Sequence, residues 1–402
     1  KNIRVPYAMT VHGKDEIDAV VNVLETSTQM GEKTREFENL VSSKFGHKYG
    51  IGVNSGSSAL FLAMEILDLP KYSEVITPSL TFATTVGCII KNNLIPRFVD
   101  VSKNTLIIDV DKIERNITKK TSALCIPNLM GNLPEWDKIK TLADKYNLKI
   151  LEDSADIIGA KYKGRPTGNF ADISITSFYG SHVISCAGNG GMLVTNNKNI
   201  FTKSKILRSW GRLSTLMKDS ENIKDRLNIK LKGFDFDRKF VFSEAGYNFE
   251  PSEISASFGL VQLSKFRYFS SLRNKNFKFH LKFFKKIDKY FFTPDVNSSV
   301  YTNFLAYPII LKPNKYFDRK DLQIFLENNK IQTRPIFSGN ILRHPAFTKI
   351  ISKQNKINQF KNADYIMQNG ILIGCHQGLK EKDLNYIHDI IIKFLKSKSV
   401  KY

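Results

Sequence analysis

Residues 174–195 read Ser-Ile-Thr-Ser-Phe-Tyr-Gly-Ser-His-Val-Ile-Ser-Cys-Ala-Gly-Asn-Gly-Gly-Met-Leu-Val-Thr, and His182 is the group there best suited to chemistry. An imidazole can take up and release a proton near neutral pH. The alternation of β-branched and aromatic residues before it, and the glycines at 188, 190 and 191 after it, predict strand, turn, strand. A second chemical group lies at 149–156, where an apolar run ends in Glu152, Asp153 and Asp156. Acids at a strand end commonly mark only where the chain meets water. In an open parallel sheet, however, the carboxyl ends of strands are where ligands sit. The third is Asn54-Ser55-Gly56-Ser57-Ser58, between a short strand at 49–53 and a helix carrying Leu60, Leu62, Ala63, Ile66 and Leu67. Free amides and the positive dipole end of a helix favour an anion, and Gly56 lets a phosphate approach; the alternative is a simple N-cap.

The surrounding elements follow from periodicity. Helices are expected at 15–26, with Ile17, Val20, Val21 and Leu24 as a core stripe, and at 34–45, with Phe37, Leu40 and Val41 inward. Strand and helix signals then alternate: 74–78, a helix at 82–91, 95–101, a helix at 111–117, 122–127 and a helix at 136–146. This is the pattern of a mainly parallel α/β sheet covered on both faces. Residues 207–242 read as a loop or β excursion. A long helix at 272–289 leads to strand, helix, strand, helix at 307–311, 321–328, 372–375 and 384–395, a smaller α+β unit. The division expected is a large domain over 1–263 and a small one over 264–402. Within the latter, Arg334, Asn340 and Arg343 concentrate polar and basic groups beside Gly and Pro, a loop suited to a diphosphate or, more plainly, a solvated turn.

The segment around His182 resembles the cofactor-lysine motif of the sugar aminotransferase family of pyridoxal-phosphate enzymes, with histidine in place of the lysine. An imidazole cannot form the stable imine that a lysine amine makes with an aldehyde. The departure resembles the branch of sugar 3-dehydratases that keep the scaffold and use histidine, as with GDP-4-keto-6-deoxymannose-type substrates. The resemblance implies an aspartate-aminotransferase-like, fold type I architecture. It places Gly56, Ser57 and Ser177 at the phosphate of pyridoxal or pyridoxamine 5'-phosphate, Phe82 on its ring and Asp153 at its pyridine nitrogen. Asp156 stands where the aminotransferases carry glutamine, and 128–132 resembles an active-site loop. Gly246-Tyr-Asn248 matches a motif whose asparagine reaches the partner's cofactor phosphate in a homodimer; Glu250 replaces the usual arginine. The implied reaction is removal of the C3 hydroxyl from a nucleotide-linked 4-keto-6-deoxy sugar, on a non-covalently held cofactor restored by glutamate. The alternatives are a sugar aminotransferase with an unusual base and a non-catalytic regulator.

Composition narrows the classes. At 402 residues the chain can bury a large core. The net charge of +22 is spread along the sequence without a recognition-helix or zinc-finger signature, which favours an anionic sugar nucleotide over nucleic acid as the partner. Cys88, Cys125, Cys186 and Cys375 are too scattered for a sequence-local metal or iron-sulfur site, so neither is expected. Neither a bilayer-length apolar run nor a signal-peptide core is evident, and the expected location is the cytoplasm.

Overall fold

Short runs rich in Val, Ile and Leu form strands β1 (Tyr49–Val53), β2 (Glu74–Pro78), β3 (Ile95–Val99), β4 (Thr121–Pro127), β5 (Lys149–Ser154), β6 (Ile173–Ser177) and β7 (Gly191–Thr195). They build one seven-stranded sheet in the order β1-β7-β6-β5-β4-β2-β3. Neighbours β2 through β6 pair in parallel, whereas β7 runs antiparallel to both β6 and β1. This computed structural model describes residues 3–217, 219–351 and 359–400. Apolar clusters cover both faces: Ile51, Leu62, Cys88 and Leu151 belong to one, Ile76, Leu124, Ile126 and Trp136 to another.

A second sheet joins β8 (Phe291–Phe292), β9 (Ala306–Leu311), β10 (Arg334–Pro335) and β11 (Gly370–Gly374), in the order β8-β9-β11-β10 and antiparallel throughout. The helix Phe266–Phe284 packs on it through Phe277 and Phe284, which stack with Phe304 and Tyr307. The N-terminal segment also docks here, through a bridge from Val5 to Ile331 and burial of Val5 in the same core. Residues near 5 thus pack with the C-terminal sheet.

Several expected elements shift. The long helix starts earlier, at Phe266, because Phe266 and Phe269 anchor its first turns in the core around Phe37 and Phe178. The helix expected at 111–117 is two 3-10 turns, Val110–Lys112 and Glu114–Asn116. The excursion at 207–242 holds a hairpin, Ile229–Leu231 with Phe234–Phe236, whose turn places Lys232 and Gly233 at positive φ. The helix Lys14–Thr26 turns its expected stripe outward: Ile17, Val21 and Leu24 are exposed while Glu16 and Val23 are buried. Glu16 is buried because its carboxylate accepts from the Gly13 amide, the Gln262 amide and Lys265. Among the described residues no helix is long and apolar enough to cross a membrane.

Candidate active site

Beside the carboxyl ends of β4, β5 and β6 lies a cavity of about 630 Å³. Gly56, Ser57, Phe82, Asp153, Asp156, Ser177, His182 and Arg334 all line it. Residues separated by up to 278 positions meet there because the parallel strands deliver their C-terminal residues to one edge.

One end is built from three pieces of backbone in close approach. The Ser55 hydroxyl caps helix Gly56–Ile66 by accepting from the Ser58 amide at 3.0 Å. A Cβ at position 56 would lie 2.6 Å from the Ser177 Cβ, and one at 191 would lie 2.3 Å from the Ser55 carbonyl carbon. Glycine is required at both. The helix start is thereby held against Ser177, an arrangement suited to a phosphate.

Phe82, which also lines the cavity, is 56 % exposed, an unusual state for a phenylalanine beside so many core residues. Thr81 donates to Thr85 at 3.0 Å, and Thr85 donates to the Asp153 carboxylate at 2.8 Å. The Ala155 amide reaches the other Asp153 oxygen at 3.1 Å. Burial raises the pKa of Asp153 despite these bonds. Asp156 accepts from the Met130 amide at 2.8 Å, and burial, followed by the nearby Asp153 charge, raises its pKa to about 7.

His182 sits in the turn between β6 and β7. Its amide donates to the Tyr179 carbonyl at 2.9 Å, and its Nδ1 lies 3.2 Å from the Ser177 carbonyl oxygen. A carbonyl can only accept, so Nδ1 carries the hydrogen and Nε2 keeps a lone pair. Burial lowers the pKa to about 4, which leaves the imidazole neutral and able to accept a proton at pH 7. Among the described residues no lysine lines the cavity.

The segment from β10 onward is arranged differently from the expectation. Arg334 is exposed at the cavity wall, 5.7 Å over the Tyr7 ring. Asn340 and Arg343 are turned instead to Asp364: Asn340 donates to it at 2.7 Å, and Arg343 engages both of its oxygens. Their donors serve an ion-pair cluster outside the cavity lining. Asn128 is likewise structural, tying the Trp136 indole to Glu152 and Ser154 in the buried sheet, while its neighbour Leu129 reaches the cavity. Asn248 is exposed, bridges Ser209 through its backbone, accepts from the Asn54 side-chain amide at 3.4 Å through its carbonyl, and is not among the residues that line this chain's own cavity. Tyr7, Tyr179 and His344 also line the cavity; His344 belongs to the polar loop expected to meet a diphosphate, whereas Tyr7 and Tyr179 had no role in the expectation. Nothing local marks Tyr7; His344 adjoins Arg343, and Tyr179 adjoins the turn that carries His182. Among the described residues no cluster of three or more His, Cys, Asp or Glu could hold a metal ion.

Comparison with known proteins agrees with this geometry. The pattern described as the DegT/DnrJ/EryC1/StrS aminotransferase family matches residues 11–392. The chain is 32% identical to the lipopolysaccharide biosynthesis protein RfbH of Salmonella typhimurium, over 95% of this chain and 90% of that protein. It is 29% identical to a UDP-4-amino-4,6-dideoxy-N-acetyl-beta-L-altrosamine transaminase of Campylobacter jejuni, over 95% of each. The solved structure of the E. coli GDP-4-keto-6-deoxy-D-mannose-3-dehydratase with bound hydrated PLP superposes with a TM-score of 0.87 at 29% identity, covering 97% of this chain and all of that one. The fold is therefore that of the PLP-dependent, mainly parallel α/β enzymes, and the chain belongs to the DegT/DnrJ/EryC1/StrS aminotransferase family.

Proposed function

We propose that this protein removes the C3 hydroxyl from a nucleotide-linked 4-keto-6-deoxy sugar, with glutamate as amino donor and without an iron-sulfur cluster. The observation that carries the reading is His182 at the place of the family's lysine, in a cavity lined by no lysine among the described residues.

The residues suit pyridoxal or pyridoxamine phosphate. A Cβ at Gly56 would close the space between the helix start and Ser177, Phe82 is an exposed aromatic side chain in the lining, and Asp153 is a buried carboxylate at the cavity wall. In this reading Gly56, Ser57 and Ser177 hold the phosphate, Phe82 stacks on the ring, and Asp153 holds the proton on its nitrogen. When bound, the amine form of the cofactor would supply a nitrogen to take the place of the sugar's ketone oxygen, which leaves as water, and a ring that makes a neighbouring C–H acidic.

His182 then accepts a proton at Nε2, since Nδ1 is committed to the Ser177 carbonyl. The same Nε2–H, now on an imidazolium, donates to the departing hydroxyl oxygen, so that one side chain serves as base and then acid. Such a role contributes on the order of a hundredfold or more in rate. A group with a depressed pKa gives up its proton readily, which suits the second step. Arg334 faces the substrate's anionic part from the wall. Asn248 of a second copy completes the phosphate site in a homodimer.

The test is incubation with pyridoxal phosphate, glutamate and a panel of nucleotide-linked 4-keto-6-deoxy sugars. The reading expects one 2-oxoglutarate per deoxygenated sugar and no need for a reductase. A stable amino sugar as product would support transamination, the activity in the name of the Campylobacter relative. A requirement for an external electron donor would overturn the glutamate-coupled route.

A further inference from the structure

The turn that carries His182 has no regular secondary structure, yet two of its consecutive carbonyls are gripped from the far side of the fold. Arg273, on helix Phe266–Phe284, is fully buried, and its Nη2 donates to the His182 carbonyl at 3.1 Å. Its Nε donates to the Gln377 Oε1 at 2.6 Å, and the Gln377 Nε2 donates to the Val183 carbonyl at 3.2 Å. The remaining guanidinium nitrogen holds the carbonyls of Phe304 and Leu305, each at 3.0 Å. Every acceptor is a neutral oxygen. A buried cation without a carboxylate is costly, and ordinary packing would be served as well by an apolar side chain.

Resting on the reading that His182 moves the proton, we propose that Arg273 and Gln377 are positioning residues that clamp the His182 turn and aim its Nε2 into the cavity. The clamp comes from two separate places in the C-terminal part, the long helix and the segment after β11, so it also ties that part to the turn. Displacement of a base by about an ångström is enough to cost on the order of a hundredfold in rate. The positive charge has a second effect in the same direction: it adds to burial in keeping the imidazole neutral. The other ionisable groups lining the cavity are Tyr7, Asp153, Asp156, Tyr179, Arg334 and His344, and none of them reaches these two carbonyls.

Gln377→Glu separates positioning from structural support. It keeps the acceptor for Arg273 and supplies the missing counter-charge, but turns the donor at the Val183 carbonyl into an acceptor. The expected result is an unchanged or raised melting temperature, unchanged sugar KM and cofactor affinity, and kcat lowered at least tenfold. Arg273→Lys, which retains charge but loses the fork, is expected to lower kcat similarly. An activity-independent measurement is diethylpyrocarbonate modification of His182, read by mass spectrometry of peptides. At pH 8, where the imidazole is neutral in every form, folded Gln377→Glu and Arg273→Lys should each be modified at a rate differing at least threefold from wild type, because release of the turn changes the exposure of Nε2. Wild-type kcat and wild-type modification rates in folded Gln377→Glu and Arg273→Lys would overturn the clamp. Should wild type perform no deoxygenation, the proposed reaction fails, and the modification rates alone decide the clamp.

Discussion

A Cβ placed on Gly56 would stand 2.6 Å from the Cβ of Ser177, closer than two such atoms can come. Two residues 121 positions apart thus share one narrow space, one at a helix start and one at a strand end. Gly56 has no need of a left-handed backbone, so propensity alone would favour alanine there by roughly 0.5–1 kcal/mol. The contact reverses that sign. Gly56→Ala should destabilise the apoprotein by about 1–3 kcal/mol and weaken pyridoxal phosphate binding at least tenfold, measured by denaturant melts and by cofactor titration. A more stable variant with intact binding would show that the helix start is not the phosphate cradle.

Asp156 makes a pH-dependent prediction whose sign follows from its raised pKa of about 7. In the unfolded chain an aspartate titrates near 4, so between these values the folded state binds the extra proton. Below pH 4 the residue is protonated in both states and contributes no penalty. As pH rises towards 7 its effect on stability becomes progressively unfavourable, up to roughly 4 kcal/mol. Asp156→Asn removes the charge and keeps an oxygen for the Met130 amide. The apoprotein of this variant should melt several degrees above wild type at pH 8 and within a degree of it at pH 4. Equal shifts at both pH values would show that folding does not raise the pKa of Asp156.

How much of this could be read from the chain depended on range. The strands at 49–53, 74–78 and 149–154 and the turn around His182 announce themselves through local alternation and small residues, and parallel-sheet logic then brings Gly56, Asp153 and His182 to one edge. The outward stripe of Ile17, Val21 and Leu24 could not be read the same way, because the inward face is decided by Glu16 meeting Gln262, 246 residues away. Arg343 carried the right charge for a phosphate, but Asp364 takes its guanidinium, a pairing no local pattern signals. Arg273 sits on a helix rich in basic and aromatic residues and looks like a solvated cation until its four neutral acceptors are known.

Substitution of His182 separates cofactor binding from turnover. His182→Asn removes the proposed base while the Ser57, Phe82 and Asp153 contacts proposed for the cofactor remain. Cofactor affinity should change less than threefold while kcat falls on the order of a hundred- to ten-thousandfold. His182→Lys restores an amine at that position, so borohydride should fix the cofactor to residue 182 in this variant and leave it extractable from wild type. Peptide mass spectrometry distinguishes the two. Covalent fixation in the wild type at any lysine would contradict non-covalent binding.

The proposed sharing of Asn248 between two subunits makes the final prediction. Asn248 is exposed and is anchored beside Ser209 in a segment whose backbone is well tied, with the Tyr247 amide on the Leu207 carbonyl and the Phe249 amide on the Arg208 carbonyl. The neighbouring excursion exposes Phe234 (77 %), Phe240 and Phe242, and the first two helices expose Ile17, Val21, Leu24 and Leu40. Apolar side chains left open in this number suit burial against a second copy. A mixture of His182→Asn and Asn248→Ala subunits, unfolded together and refolded, would contain heterodimers. In these, one site combines a subunit bearing His182 with a partner bearing Asn248, and the other site lacks both. If the two single variants are each inactive, random pairing places half of the protein in heterodimers, so about a quarter of the wild-type sites should recover. Sedimentation should give twice the monomer mass for all three preparations. A fully active monomer, or a mixture that regains no activity while forming dimers, would rule out the shared site.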